Sequence, residues 1–586
     1  MLAALALVLG YHEASRARWV CDDIFISLRY AANLLHGNGL VYNAGERVEG
    51  YTDFLWLMIL ALFQKLGFDP VQTAENLGIA SFLGVLALLA WVSHRIAPAR
   101  MRWVVPFASL VLAVHYEAAV WATSGLETFF YTLLLVSGFV VYFFTSLRRS
   151  RRLVLAGLAL ALAFLTRPDA GLLVILAFLF LLGRAWLMGL PARAWAVEFG
   201  FFGLPMALLL VPYLVWKLSY YGGLLPNTYY AKSAGVSCFS QGFFYLWTYF
   251  RCYVTSGLFL LAVPVILRLF FAGGPADPPE WRARVRAVLG REGVGAAVFG
   301  LAAVVVYLVL FVARVGGDFM YARFVVPALP VLYLLVEWSL PRLGGRSLAA
   351  APVLFLLIPA FTFTVERGNR ERYLLKEEDG RITVREHHGI LDEHFYYTGW
   401  ISLDEQRRMG EAYAPCFAGL DVTVLLRGQA CLGYYAGFRN CIDNNGLTDA
   451  FIARQPLAHR GRVGHEKSAP YDYLIKRKTN FVFRRTPYRN KPYRMASFAL
   501  PGGFYDRAEI LTYDPRVLGE LKRRMGERFQ FTPFEDYLDA YLRDALPIEP
   551  IEVVREDYRE FRDYYFGRNP DPARERRFLA RLALAP

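Results

Sequence analysis

Charge is scarce in this chain of 586 residues: 19% are Asp, Glu, Lys or Arg, against 56% hydrophobic and 16% aromatic. A soluble protein of this length would split into several domains with polar surface between them, and that class is excluded. Cysteine is scarcer still, with six residues, and no spacing among them resembles a zinc site. Also missing is the clustered Lys and Arg that a nucleic-acid face needs, despite a net charge of +14. Much of that basic excess lies in short loops between apolar runs, where it sets membrane orientation. The arginines after Arg367 face anionic lipid, an anionic substrate or only solvent.

What is present is a repeat of apolar stretches from Val71 to Glu366, close to the roughly 20 residues that cross a bilayer. Spans are expected near 74–94, 103–121, 127–146, 153–166, 169–183, 195–217, 254–270, 293–314, 323–340 and 347–365. Met1–Gly10 makes about eleven, but at 1.5 Å per residue it is roughly half a span. Either a longer N-terminus is missing, which is the favoured reading, or the first span is short and tilted. Residues 54–67 read as a helix lying in the membrane interface. From Arg367 the apolar pattern stops. The expected architecture is a polytopic α-helical membrane domain over 1–366 and a soluble α/β or α+β domain over 367–586, with helices at Pro515–Met525 and Pro533–Leu546.

The loops divide by charge. Arg95, Arg100, Arg102, Arg148, Arg149, Arg151, Arg152, Arg184, Arg193, Arg268, Arg282, Arg284, Arg286, Arg291, Arg342 and Arg346 fall on one side, which the positive-inside rule makes cytoplasmic. The other side receives Asp22–Asp23, TSGLE (123–127), TRPD (166–169), LLPNTYYAK (224–232), GGDFMYARF (316–324), the C-terminal domain and all six cysteines. Disulfides are permitted there. Cys431 and Cys441 either pair or stay as two buried thiols.

Each outer motif has a structural and a functional reading. Asp22 or Asp23 caps the helix that ends at Gly37, or serves catalysis; carboxylates beside a span are costly unless used. Asp318 and Arg323 form an ion pair, or Arg323 grips a lipid-linked phosphate. Lys232, after Tyr229–Tyr230, is a second phosphate candidate. Glu127 completes a capping box from Ser124, and Asp169 occupies the first turn of a helix after Pro168. Asn227 and Tyr230 are further outer-face candidates. In the C-terminal domain Asp443, Asp449 and Arg454 read as packing and capping residues, and His465 as a surface histidine or a contact to acceptor or donor phosphate.

The ordered run DDIFISLRYAANLLHGNGLVYNAGERVEGYTDFLW, TSGLE, TRPD, LPNTYYAK, GGDFMYARF resembles membrane glycosyltransferases of the GT-C type. It is most similar to the terminal β-(1→2) arabinofuranosyltransferases of bacterial cell-wall arabinan, and the likeness continues through GYYAGFRNCIDNNGLTDAFIARQP and RVGHEKSAPYDYL. The resemblance implies a polyprenyl-phosphate sugar donor, with arabinofuranose as the sugar, and a cell-envelope glycan acceptor. It also implies an extracytoplasmic active site in the bacterial cytoplasmic membrane, with the C-terminal domain on the same face. Asp22 is then the principal catalytic carboxylate, Asp23 supports it, and Arg323, Lys232 and His465 receive donor phosphate. The carboxylate acts as a general base in an inverting course or as a nucleophile in a retaining one. No metal ligand set is expected, although the carboxylate pair could recruit a divalent cation. The alternatives are another pentose or hexose donor with a protein or lipopolysaccharide acceptor, a transporter of lipid-linked glycans, or a structural receptor.

Overall fold

The computed structural model describes all residues except 99–103, 272–279, 292, 344–346, 379, 401, 484–485, 500–505 and 584–586. Arg100, Arg102 and Arg346, counted above among the basic loops, lie outside the described residues.

The first two-thirds of the chain are helical. Six described helices are long and apolar enough to cross a membrane: Pro70–Ile96, Ala170–Leu187, Ala192–Tyr221, Val254–Phe271, Val294–Ala313 and Ala349–Leu374. A seventh is formed if Tyr116–Thr123 and Thr128–Phe144, bent by 112° at TSGLE, count as one. Length and composition therefore qualify fewer spans than the eleven expected. Part of the difference comes from short helices inside the bundle. Residues 103–121 break at His115, whose backbone is extended between Phe107–Val114 and Tyr116–Thr123. Its ring stacks on Tyr253 and hydrogen-bonds the Tyr249 hydroxyl at 2.9 Å. Residues 323–340 give only an 11-residue α-helix, Leu329–Ser339, with every residue but Val331 buried. Ala192–Tyr221, in contrast, exposes Val197, Leu204, Leu208, Val211 and Val215, a surface suited to lipid.

The described basic loops gather at one end of the bundle. Arg95 donates to the Phe144 carbonyl at 3.5 Å, Arg342 to Ile96 at 3.0 Å and Arg268 to Leu343 at 3.0 Å. Arg149 and Arg184 share Glu198.

The C-terminal part holds a hairpin, β1 (Leu375–Glu378) with β2 (Arg381–Val384), and a mixed six-stranded sheet. Its strands are β3 (Thr423–Leu426), β4 (Asn440–Asp443), β5 (Phe481–Val482), β6 (Met495–Phe498), β7 (Arg507–Ile510) and β8 (Phe529–Phe531). The order is β4-β3-β5-β7-β6-β8; the first three are parallel and the remaining pairs antiparallel. The Pro515–Met525 helix forms as expected, started by the Asp514 carboxylate, which accepts from the Arg516 and Val517 amides. The Pro533–Leu546 stretch becomes Phe534–Ala540 with a π-turn after it.

The two parts are not separated cleanly at residue 367. Tyr30, Leu40, Tyr42, Tyr51 and Leu57 are buried in the same core as Met409, Tyr413, Phe481 and Phe498. The segment that follows the first helix is thus a wall of the C-terminal core as well as a neighbour of the spans. The helix expected in the interface, Phe54–Lys65, likewise buries Trp56, Leu57, Leu60 and Ala61.

Candidate active site

The DD pair splits into two roles. Asp22 and Asp23 precede the Ile24–Leu35 helix, yet neither side chain caps it. Gly37, at φ +80°, follows that helix's end as its C′ residue should. The Asp22 carboxylate instead accepts from the Ala430 and Cys431 amides, both at 2.9 Å, at the start of the Ala430–Ala436 helix. Burial raises its pKa to about 6, with those two N–H groups opposing the rise. Asp23 has no such tether among the described hydrogen bonds. Burial raises its pKa too, and Arg323 and Lys232 pull it back.

GGDFMYARF is folded to place Asp318 and Arg323 on a cavity that this carboxylate also lines. Gly316 and Gly317 have φ of +89° and +74°, and a Cβ on Gly317 would lie 2.4 Å from the Tyr245 ring. The Tyr245 hydroxyl donates to the Met320 carbonyl at 3.0 Å. Arg323 follows Ala322, at φ +61°, and Lys232 precedes Ser233, at φ +48°. Left-handed backbone at non-glycine residues is costly and clusters where function holds it in place.

Arg167 is clamped by Glu127 at 3.1 Å and Asp169 at 2.9 Å. This corrects the capping-box reading of Glu127, whose carboxylate faces Arg167 and Arg323 instead of the Ser124 amide. Asp169 also accepts from the Tyr131 hydroxyl at 3.1 Å and makes no side-chain cap. Arg323 is held more loosely, 3.5 Å from both Glu127 and Asp318, and its Nε has no described partner. Among the described residues Lys232 and Arg314 line the same space without a described ion pair.

Two cavities meet here. One, of about 450 Å³, combines Arg167, Arg314, Arg323 and Lys232 with apolar Leu172, Leu225, Leu310 and Phe311. The other, of about 510 Å³, lies against the C-terminal sheet and includes Asp22, Tyr397, Arg427, Arg462 and His465. Asp23, Ile26, Lys232 and Leu447 belong to both linings, so Asp23 and Lys232 stand at the junction.

The remaining candidates disperse. Asn227 donates to the Gly446 and Leu447 carbonyls at 2.8 and 2.9 Å, a tie between the parts. Tyr230 lies under the Arg454 guanidinium, 4.6 Å from its carbon. Asp449 caps the Ala450–Ala453 helix, as expected. His465 is on the second cavity, edge-on to Phe319, and burial pulls its pKa down to about 3, leaving it neutral. Cys431 and Cys441 are separate buried thiols, one on a helix and one on β4, which corrects the disulfide option. Among the described residues no group of three or more His, Cys, Asp or Glu is arranged to hold a metal ion.

Sequence reasoning passed over Asp53, Arg167, Arg314 and Glu393. Arg167 and Asp53 sit inside motifs that were quoted, TRPD and GYTDF. Asp53 accepts from the Ser27 hydroxyl at 2.9 Å, and burial raises its pKa, with Glu127 adding to the rise. Glu393 is placed by pairing of the 319–321 backbone with Leu391, through bonds of 2.9 and 3.0 Å. No local pattern announces it.

A curated protein of Corynebacterium glutamicum, named terminal β-(1→2)-arabinofuranosyltransferase, is 31% identical over 552 residues, covering 81% of this chain and 76% of that protein. A Mycobacterium tuberculosis protein of the same name is 31% identical over 351 residues, covering 55% of this chain and 52% of that protein; the match thus spans about half of that relative's length. Among solved structures, ArnT from Cupriavidus metallidurans bound to undecaprenyl phosphate superposes with a TM-score of 0.44 at 14% identity, over 75% of this chain and 84% of that one. No family model matches the sequence.

Proposed function

Because the chain belongs to the family of terminal β-(1→2)-arabinofuranosyltransferases, we propose that it transfers arabinofuranose from a polyprenyl-phosphate donor to a cell-envelope glycan. The reaction takes place on the extracytoplasmic face of the bacterial cytoplasmic membrane. The observation that carries this reading is the position of Asp23, a half-buried carboxylate without a described hydrogen-bond partner at the junction of two cavities that Lys232 shares and Arg323 also lines.

The first cavity suits the donor. Lys232, Arg314 and Arg323 offer charge to its phosphate, while Leu310, Phe311 and Leu172 continue toward apolar surface for the isoprenoid chain. Arg167 is consumed by Glu127 and Asp169 and works by fixing Glu127 against Arg323. Asp23 takes the proton of the acceptor hydroxyl as its oxygen bonds to the anomeric carbon. The bond from that carbon to the phosphate oxygen breaks, and polyprenyl phosphate leaves with its new charge stabilised by Arg323 and Lys232. Asp22 holds the C-terminal part beside this centre and does not touch the reacting atoms.

The test is transfer by purified protein in detergent from radiolabelled polyprenyl-phosphoryl arabinofuranose to a synthetic arabinoside. Product joined through a β-(1→2) bond supports the proposal. Transfer only from a different polyprenyl-phosphate sugar would overturn the choice of arabinofuranose, and no transfer from any such donor would overturn the reaction class.

A further inference from the structure

The cavity against the C-terminal sheet has a feature that donor binding leaves unexplained. Five buried side-chain atoms with no hydrogen-bond partner among the described residues belong to its lining: Glu393 Oε2, Gln406 Oε1, Thr448 Oγ1, Arg462 Nε and His465 Nδ1. Glu393, Gln406 and Thr448 are 4%, 2% and 3% exposed. Buried polar groups are nearly always paired, so such a concentration around one space marks a place completed by a ligand or by solvent. Both donors and acceptors are unmet, which matches hydroxyl groups, since each can give and receive a bond.

The fold points to the same space. It lies at the carboxyl ends of all three parallel strands: 427–430 follow β3, Asn445 and Leu447 follow β4, and Phe483 and Thr486 follow β5. Ligands of open sheets with parallel strands bind outside those ends. In such sites the N-terminus of the helix after a strand commonly receives a phosphate. Here that position, at Ala430 and Cys431, is filled by the Asp22 carboxylate. Four carboxyl groups, Asp22, Asp23, Glu393 and Asp443, line the cavity against three cations, Lys232, Arg427 and Arg462. With Glu393 protonated the two signs balance, so no excess of positive charge is left for a nucleotide or other polyanion. Phe319, Tyr397 and Phe483 add aromatic carbon to the lining, as the C–H side of a sugar requires. The volume of about 510 Å³ is in the range of roughly 300–1,000 Å³ usual for small-ligand sites.

We infer that this cavity is the acceptor site, that it takes the end of an uncharged, hydroxyl-rich glycan, and that Glu393, Gln406 and Thr448 bind the hydroxyls next to the one that reacts. This rests on the transferase reading above and names the acceptor class and its contacts. Asp23, shared with the donor cavity, is where an acceptor hydroxyl bound here meets the donor.

Binding, measured without turnover, tests it. The full chain in detergent is titrated calorimetrically with a soluble neutral arabinofuranosyl oligosaccharide, and separately with undecaprenyl phosphate. Gln406→Leu and Thr448→Val should each weaken the oligosaccharide tenfold or more and leave the lipid unchanged, which also shows that the variants are folded. Arg314→Ala, on the donor cavity alone, should weaken the lipid and leave the oligosaccharide unchanged. Oligosaccharide affinity unaltered in both Gln406→Leu and Thr448→Val, or no binding by the unmodified protein at millimolar sugar, would overturn the inference. Lipid affinity unaltered in Arg314→Ala would count against the donor site and leave the acceptor site standing.

Discussion

Asp22 and Arg29 hold opposite ends of one helix in the C-terminal domain. Asp22 accepts from the amides of Ala430 and Cys431, while Arg29 donates to the carbonyls of Gly433, Phe438 and Arg439 at 3.1, 2.7 and 3.2 Å. The pair are seven positions apart, Arg29 within the Ile24–Leu35 helix and Asp22 just before it, and the Ala430–Ala436 helix they bracket is seven residues long, about 10.5 Å. The signs also match: an anion at the amino end and a cation at the carboxyl end complement the helix dipole. One short segment, Asp22 to Arg29, thereby seats the C-terminal domain beside the spans.

Breaking the clamp should loosen that seat. Asp22→Ala removes a cap worth about 0.5–2 kcal/mol. Arg29→Met leaves several buried carbonyls unpaired, at roughly 1–3 kcal/mol each. Limited proteolysis of both variants should cut faster near residues 400–430, with Arg29→Met the more sensitive. Cleavage at the unmodified rate in both would remove the clamp from the account.

Lys232 is the cleanest probe of the donor phosphate, because no described carboxylate is left unpaired by its loss. Hydrogen bonds to charged groups contribute about 1.5–3 kcal/mol. Lys232→Met should therefore raise donor KM by roughly 10- to 100-fold, with the fold intact by circular dichroism. Unchanged donor KM would assign the phosphate elsewhere.

Stability should depend on pH through Glu393. Burial raises its pKa to about 8 from an ordinary 4.5, partly offset by Arg462. The folded protein thus binds this proton more tightly than the unfolded chain, so the contribution is complete below pH 4.5 and is lost as pH rises toward 8. Asp22 and Asp443, both raised to about 6, act in the same direction but at lower pH. The melting temperature should fall between about pH 6.5 and 8, and Glu393→Gln should flatten that fall. Parallel curves for the two proteins would show that Glu393 does not titrate in this window.

Gly317 tests the loop that carries Asp318 and Arg323. An alanine there needs φ of +74° and sets its Cβ 2.4 Å from Tyr245. Left-handed backbone alone costs about 1–2 kcal/mol. Gly317→Ala should impair donor binding more than Gly368→Ala, where a Cβ meets nothing within 4 Å. Equal behaviour of the two would mean that the loop's shape is not needed.

The sequence made legible what local pattern encodes. Short loops with Arg on one side, the Gly–Gly turn before Asp318 and the Pro515–Met525 helix all carry their reasons within a few residues. Asp22 shows the limit. Its partners lie 408 and 409 positions away, and a DD pair reads identically whether one member is tethered or both are free. Glu127 reads as a capping residue until the bend at TSGLE turns it toward Arg167. Glu393 and Gln406 gain meaning only when Leu391 pairs with the 319–321 backbone and the sheet is assembled. Span length was less legible for a different reason: helices such as Leu329–Ser339 are wrapped by protein, so bilayer thickness does not set their length.

The central claim is the division of labour between neighbouring aspartates, and single-turnover transfer with Asp22→Asn and Asp23→Asn tests it most directly. A positioned general base contributes about 10²–10⁴-fold, so Asp23→Asn should slow transfer by that factor while still binding undecaprenyl phosphate. Asp22→Asn, which keeps an acceptor oxygen for one of the Ala430 and Cys431 amides and loses the other, should lose less than about tenfold, a cap's share at most. The reverse order, with Asp22→Asn inactive and Asp23→Asn near normal, would contradict the account.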